Sequence, residues 1–444
     1  MGLGWPLGEL LGTEADLLER YGVSRAVFRE AVRLVEHQHV ARTRRGGGGG
    51  LVISEPTVDV VTQAVMLYLY RVGARLDEVF EARIVLEDLA TRLAADRLDD
   101  ESEVAIRAFV GRGHNTSAAD PRALHARIAA ASGNPAVELF VDVLNQIAAL
   151  YSSEQRSYGP VVREETARAH AGIARAVLSG DGALAARRMR VHLEAEAAYL
   201  RKRRTTRQAL PERAVLAGQS DAKLADGLAR RIAGRIVGEG LEPGAMVGTE
   251  AELLASERVS RAVLREAIRL LEHHAIARMR RGVGGGLIVV EPSPVATTDT
   301  TAIYLARRGM RLDALAELRL GVEVAVTELA AGRVDDGAVV AMREALAREA
   351  EGEIAERAVT VHHLHAAIAH AAHNRVLELL ALVLIRLSRL HQVERLPAAR
   401  RRRIDVEVHR SHEAIASAIE AGDVALARRR MQRHMGALAA AMRG

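Results

Sequence analysis

The chain has 444 residues, 49% of them hydrophobic, with 62 basic and 57 acidic side chains and a formal net charge of +5, which is material for three or four packed domains. It has no cysteine, which excludes disulfides, cysteine nucleophiles and thiolate metal sites, and 3% aromatics, which argues against single-strand recognition by stacked rings. No apolar run is long enough for a bilayer and no signal peptide opens the chain, so a cytoplasmic protein without a membrane partner is expected.

The first patterned stretch, Thr13 to Val40, reads TEADLLERYGVSRAVFREAVRLVEHQHV, and RTRRGGGGGLVISEP follows from Arg42 to Pro56. A long amphipathic helix is expected over Leu76 to Leu98, with Arg83 and Glu87 one turn apart. LHARIAAASGN (Leu124 to Asn134) and HAGIARAVLSGDGALAARRMRVH (His170 to His192) complete the first half. Residues 205–221 have no sustained apolar period and read as a linker.

Leu224, Leu228, Ile232 and Ile236 then recur every four residues, an amphipathic helix that Gly240 and Pro243-Gly244 end. From Thr249 the first half repeats without a gap at an offset of 236 positions: TEAELLASERVSRAVLREAIRLLEHHAI, then RMRRGVGGGLIVVEP. Thr249 and Glu252 form a capping-box pattern. Ser260 caps a helix over Arg261 to His274 whose apolar face is Val263, Leu264, Ala267, Ile268 and Leu271. Arg261, Arg265 and Arg269 make a solvent-facing stripe on it. Two short strands around a glycine tip follow. Leu312 to Arg333, with Arg319 and Glu323, repeats the long helix; LHAAIAHAAHN (Leu364 to Asn374) and HEAIASAIEAGDVALARRRMQRH (His412 to His434) repeat the rest. The chain is therefore a tandem duplication.

Three helices and a hairpin are the parts of a winged helix-turn-helix, in which the N-terminal residues of the Ser-capped helix reach base edges in the major groove. Arginine there suits guanine or phosphate. The order TEAELL, VSRAVLREAIRLLE and RRGVGGGLIV resembles the GntR family of bacterial regulators. The resemblance implies DNA contacts by Ser24, Arg25, Arg29 and Arg45 in the first head and by Ser260, Arg261, Arg265 and Arg281 in the second. A further family arginine in the preceding helix is replaced by Ala15 and Ala251. Nothing before Gly8 matches the helix Leu224 to Val237, so either the start codon was assigned too late or the first head is reduced.

The histidines carry a geometric consequence. Gly180-Asp181 marks a tight turn between two helices. His170 and His192 each lie 11 positions from Asp181, and His412 and His434 each lie 11 from Asp423. In an antiparallel hairpin such positions come level, about 16 Å from the turn. With His125 or His365 from an earlier helix they form a three-imidazole set suited to Zn²⁺, Ni²⁺ or a similar ion, against the plainer alternative of hydrogen-bonded core histidines. This arrangement resembles the FCD ligand-binding domain of the FadR branch of the GntR family. In metal-binding members an Asp four residues before the first His joins the three; those positions here are Pro121 and Val361, and His362 is the available substitute. Arg83 and Arg319 are candidates for a bidentate contact to a ligand carboxylate, with Asn134 and Asn374 beside them; the alternative for the arginines is an intrahelical pair worth a few tenths of a kcal/mol.

The expected fold class is mainly α, with two winged helix-turn-helix domains and two all-helical antiparallel bundles. The expected boundaries are 1–56 and 222–292 for the heads, 57–204 and 293–444 for the sensors. The expected function is a DNA-binding transcriptional regulator, not an enzyme, acting as a single-chain pseudo-dimer on a palindromic operator. A small organic acid would be its effector, with a divalent metal ion of Zn or Ni type in each sensor. The alternatives are a DNA-binding scaffold with ligand-free association domains, and a three-His metal-dependent hydrolase.

Overall fold

A computed structural model of the chain describes residues 6–37, 40–44, 46, 49–111, 122–153, 159–203, 224–282, 284–351, 354–392 and 398–443. The fold is mainly α-helical with two small antiparallel sheets, and no helix among the described residues is long and apolar enough to cross a membrane. Two compact units form. One joins Met1–Gly73 with Pro211–Arg308, the other Ala74–Leu210 with Gly309–Gly444. Each unit thus contains one segment from each copy of the repeat.

In the first unit, the first head runs β1 (Leu10–Gly12), α1 (Glu14–Tyr21), α2 (Arg25–His37), β2 (Ala41–Arg44) and β3 (Gly50–Ile53). The second runs α10 (Leu224–Gly238), β4 (Met246–Gly248), α11 (Glu250–Glu257), α12 (Arg261–His273), β5 (Ala277–Arg280) and β6 (Gly286–Val289). The sheet orders are β1-β3-β2 and β4-β6-β5. The expected wing hairpins are present, and a third strand joins each of them. That strand has three residues, too short to show an alternating pattern, and its register shifts between Leu10↔Val52 and Gly12↔Leu51. Glycine is required where the strands meet: a Cβ on Gly50 would lie 2.3 Å from the Gly12 carbonyl oxygen, and one on Gly286 2.8 Å from that of Gly248.

Local hydrogen bonds set the helix ends. The Thr249 hydroxyl accepts from the Glu252 N–H at 3.3 Å while the Glu252 carboxylate accepts from the Thr249 N–H at 2.8 Å; Thr13 and Asp16 do the same in the first head. Glu36 and Glu272 each tie the following helix to the wing, accepting from the backbone N–H of Thr43 (2.7 Å) and Met279 (3.0 Å).

The heads differ in packing. In the second, α10 lies against α12 and Leu264, Ala267, Ile268 and Leu271 are buried. Among the described residues no helix precedes β1. Phe28 is buried on α2, but Ala31, which matches Ala267, is exposed, and Val32, which matches Ile268, is half-buried. Beyond the wings, α3 (Val58–Arg71) and α13 (Val295–Arg307) pack on each other, with the Thr297 hydroxyl donating to the Ala64 carbonyl at 3.3 Å. Arg71 reaches the second head and donates to the Val290 carbonyl at 2.9 Å.

The second unit holds two helical bundles. The first comprises α4 (Leu76–Arg97), α5 (Asp100–Gly111), α6 (Ala123–Ala131), α7 (Pro135–Ser153), α8 (Pro160–Leu178) and α9 (Gly182–Arg203). The second comprises α14 (Leu312–Arg333), α15 (Asp336–Glu351), α16 (Ile354–Ala371), α17 (Arg375–Gln392), α18 (Ala398–Glu420) and α19 (Val424–Arg443). In each, the long first helix is buried along its length against the others: Leu86, Ala90 and Ala94 on α4, and Val322, Val326 and Ala330 on α14, are each at most 1% exposed. Such burial stabilises by about 1.5–3 kcal/mol per large aliphatic side chain.

The contacts between the two bundles are reciprocal. Arg97 pairs with Glu317, and Arg333 pairs with Glu81 at 2.6 Å. Asn134 donates to the Ala314 carbonyl at 2.8 Å, and Asn374 donates to the Glu78 carbonyl at 3.1 Å. Each contact is made a second time with the copies exchanged, the property of an isologous interface.

Candidate metal centres and DNA-reading helices

The hairpin geometry expected from the histidine spacing is present. Gly180 takes a left-handed φ of 72° after α8, and the Asp181 carboxylate accepts from the Leu184 N–H at 2.9 Å to start α9. Gly422 and Asp423 repeat the turn, with Asp423 accepting from Leu426 at 2.9 Å. His170 on α8 and His192 on α9 come level, their Nε2 atoms 3.0 Å apart, and His125 on α6 brings its Nε2 to 3.3 Å from that of His170. In the second bundle the His434 Nε2 lies 3.2 Å from that of His412 and 3.3 Å from that of His365. All six imidazoles are buried.

Carboxylates orient these rings. Glu87, on α4, takes the Nδ1 of His125 and also the Nε of Arg83 at 2.9 Å. Glu323 takes the Nδ1 of His365 at 2.9 Å and the Nη2 of Arg319 at 2.9 Å. Arg83 and Arg319 are therefore neither plain surface pairs nor open guanidinium groups, but the far end of a buried Arg–Glu–His chain. Glu349, on α15, takes the Nδ1 of His412 at 3.0 Å. Sequence reasoning missed Glu349, because it lies 63 residues before its partner and carries no local motif.

The donor set fits a cation. A carboxylate at Nδ1 is an acceptor, so the neutral ring donates there and leaves its Nε2 lone pair free. His365 and His412 both present such lone pairs to His434, whose single Nε2 proton can satisfy only one of them well. A divalent ion at the convergence point would satisfy all three. His192 and His434 are also held neutral. Burial, then the neighbouring His125, lower His192 to about 4; burial, then His365 and His412, lower His434 to about 2. Burial alone would raise Glu87, but His125 and Arg83 outweigh it and hold the carboxyl at about 2. A neutral imidazole is the form that binds metal.

Other expected site residues fall elsewhere. Asn134 and Asn374 spend their side-chain oxygens capping α7 and α17, and their amide groups reach across to the other bundle; none of these hydrogen bonds involves a clustered histidine. His362 is buried but is not one of the three converging rings. Pro121 and the side chain of Val361 lie outside the described residues.

On the heads, Ser24 and Ser260 cap α2 and α12, accepting from the Val27 and Val263 N–H groups at 3.3 Å each. Arg25, Arg29, Arg261 and Arg265 are exposed on the N-terminal half of those helices. Arg29 has one exposed partner, Glu14 at 3.5 Å, an interaction too weak to prevent its release. Arg281 is exposed at the second wing, and Arg45 lies outside the described residues.

A winged helix-turn-helix pair joined to two helical bundles, each with a buried histidine triad, defines a class of transcriptional regulator. Residues 78–195 and 314–437 match the FCD domain family, so the chain belongs to that branch of the GntR family, and its two FCD segments fit a tandem duplication. Among individual relatives, the HTH-type transcriptional regulator LutR of Bacillus subtilis (strain 168) is 26% identical over 201 residues, 44% of this chain and 90% of LutR. Among solved structures, Streptococcus agalactiae GntR aligns with 49% of this chain and 99% of its own at 20% identity and a TM-score of 0.39. E. coli McbR/YncC aligns with 50% of this chain and 100% of its own at 16% identity and a TM-score of 0.25.

Proposed function

We propose that this GntR-family regulator acts as a single-chain pseudo-dimer: its two heads read two similar half-sites of a palindromic operator in double-stranded DNA, and its FCD region responds to a small organic acid. The observation that carries the reading is the reciprocal set of contacts between copies, Arg97–Glu317 with Arg333–Glu81 and Asn134–Ala314 with Asn374–Glu78. Regulators that read palindromes place two recognition helices by a two-fold axis, and here one chain supplies both halves. Ser24, Arg25, Arg29 and Arg45 would serve one half-site, and Ser260, Arg261, Arg265 and Arg281 the other.

In each sensor a divalent ion would be held by His125, His170 and His192, or by His365, His412 and His434. A three-histidine site leaves coordination positions open, and the bound ion would supply Lewis acidity for an anionic ligand. Glu87, Glu323 and Glu349 keep three of the ring donors in the metal-binding tautomer. Of the two arginines, Arg83 is already held by Glu87 and Glu196, while Arg319 keeps an N–H without a hydrogen-bond partner and offers charge to a ligand carboxylate.

Selection of random duplex DNA on the full chain tests the reading, with Arg25→Ala/Arg29→Ala and Arg261→Ala/Arg265→Ala variants beside it at fixed salt. A two-part site bound by one chain, each variant losing one half, is the expected result. A site that forms only with two chains would rule out the pseudo-dimer, and no enriched sequence would rule out specific DNA reading.

A further inference from the structure

The two sensor copies share a frame but differ in what surrounds the buried arginine. In the first, Arg83 is held by Glu87 at 2.9 Å and also by Glu196 of α9, Nη1 to Oε2 at 3.1 Å. Glu196 lies four residues after His192. Four residues after His434 the second copy has Leu438, also half-buried. Among the described residues Arg319 has one carboxylate partner, Glu323, and spends another N–H on the Ser388 hydroxyl at 3.2 Å, where the first copy has Ala148.

What remains in the second copy is an unsatisfied donor set. The Nε–H of Arg319 is buried without a hydrogen-bond partner. His362, close enough for the Arg319 charge to help burial keep its ring neutral, is 4% exposed, and neither of its ring nitrogens has a partner. The matching residue of the first copy is Arg122, which is exposed. A buried donor left unpaired costs about 1–3 kcal/mol, and more on a charged group. A carboxylate is the ligand that removes this cost. The first copy has a buried unpaired group as well, Asn145, one turn before Ala148 on α7. Its amide is uncharged, and its counterpart is Ile385.

We infer that the two sensor pockets are inequivalent: Glu196 fills the first as a built-in carboxylate, while a small carboxylic acid enters only the second, where Arg319 and His362 receive it. A carboxylate fixed on a neighbouring helix acts at an effective concentration of about millimolar or above, so a scarce free acid does not displace it. The inference rests on the carboxylate-sensing reading above and adds that one chain takes one effector.

The test titrates the full chain, in zinc-containing buffer, with acetate, malate and citrate by calorimetry, with circular dichroism checking the fold of each variant. The expected stoichiometry is one acid per chain for the unaltered protein. It rises to two for Glu196→Leu, which installs the residue the second copy already carries there, and falls to none for Leu438→Glu. Two sites in the unaltered chain, a single site in folded Glu196→Leu, or binding that survives Leu438→Glu would overturn the inequivalence and leave carboxylate sensing standing. If Glu196→Leu does not fold, the unaltered chain and Leu438→Glu decide. No binding of any of the three acids to the unaltered chain or to Glu196→Leu would overturn the carboxylate-sensing reading itself.

Discussion

Arg333 and Glu81 form, at 2.6 Å, the ion pair that Arg97 and Glu317 form with the two copies exchanged. Each copy therefore offers the other the same surface, and the duplication is used as an interface rather than as a string of independent domains.

These pairs are part-exposed, with side chains 30–37% accessible, so each contributes only about 0.2–1 kcal/mol. The Glu81→Ala/Glu317→Ala variant is expected to lose about 1 kcal/mol in urea unfolding. DNA affinity is expected to stay independent of chain concentration above the operator concentration, because both halves remain on one chain. Sedimentation with labelled operator reads the stoichiometry, and two chains per operator would contradict the interface assignment.

Metal content is expected to follow the triads. The chain is expected to bind two divalent ions; His192→Ala and His434→Ala are each expected to bind one, and the double variant none, by elemental analysis after dialysis. Glu349→Gln leaves all three ligands of the second site but no longer accepts strongly from His412, and is expected to weaken that site about 10–100-fold. Unchanged affinity would mean that Glu349 does not orient the ring.

Stability of the metal-free protein is expected to fall in acid. His192, at about 4, and His434, at about 2, sit below the ordinary 6.5, so below pH 6.5 the unfolded chain binds protons that the folded chain does not. Their contribution is intact above 6.5 and declines as pH drops toward the folded values, by at most about 1.4 kcal/mol per pH unit per histidine. Glu87, at about 2 against 4.5, adds its own loss below 4.5. Urea midpoints in chelator should drop between neutral pH and about 5, and less steeply in His192→Gln. A flat profile would count against buried neutral rings.

DNA recognition is expected to separate by head. Loss of Arg261 and Arg265 is expected to cost about 1–3 kcal/mol per base-reading contact and to relax one half-site. The same change at Arg25 and Arg29 is expected to affect the other. Amide exchange should also be faster in α2 than in α12, because Ala31 is exposed where Ala267 is fully buried. Equal protection would indicate that α2 has a packing partner in solution.

The repeat, the helix starts at Thr249 and Ser260, the turn at Gly180-Asp181 and the levelling of His170 with His192 were all legible in the linear sequence. Each depends on groups a few residues apart, or on counting residues from a turn at a constant rise, and the 3.6-residue period records those relations directly. Three-residue β1 and β4 were not legible, since so short a strand shows no period and is held by its pairing partner. Asn134 and Asn374 could be read as ligand groups because nothing local shows that their amides reach the opposite copy.

The sequence by itself determined the family, the repeat, the Ser-capped helices that carry the exposed arginines and the identity of six converging histidines. Only the tertiary structure decided which carboxylate holds which ring, that Glu349 comes from 63 residues away, and that Glu196 covers Arg83 from 113 residues away while Leu438 leaves Arg319 without that second carboxylate. The reason is physical: a buried charge is stabilised by whichever groups packing brings within hydrogen-bond range, and that range is set by distance in space rather than along the chain.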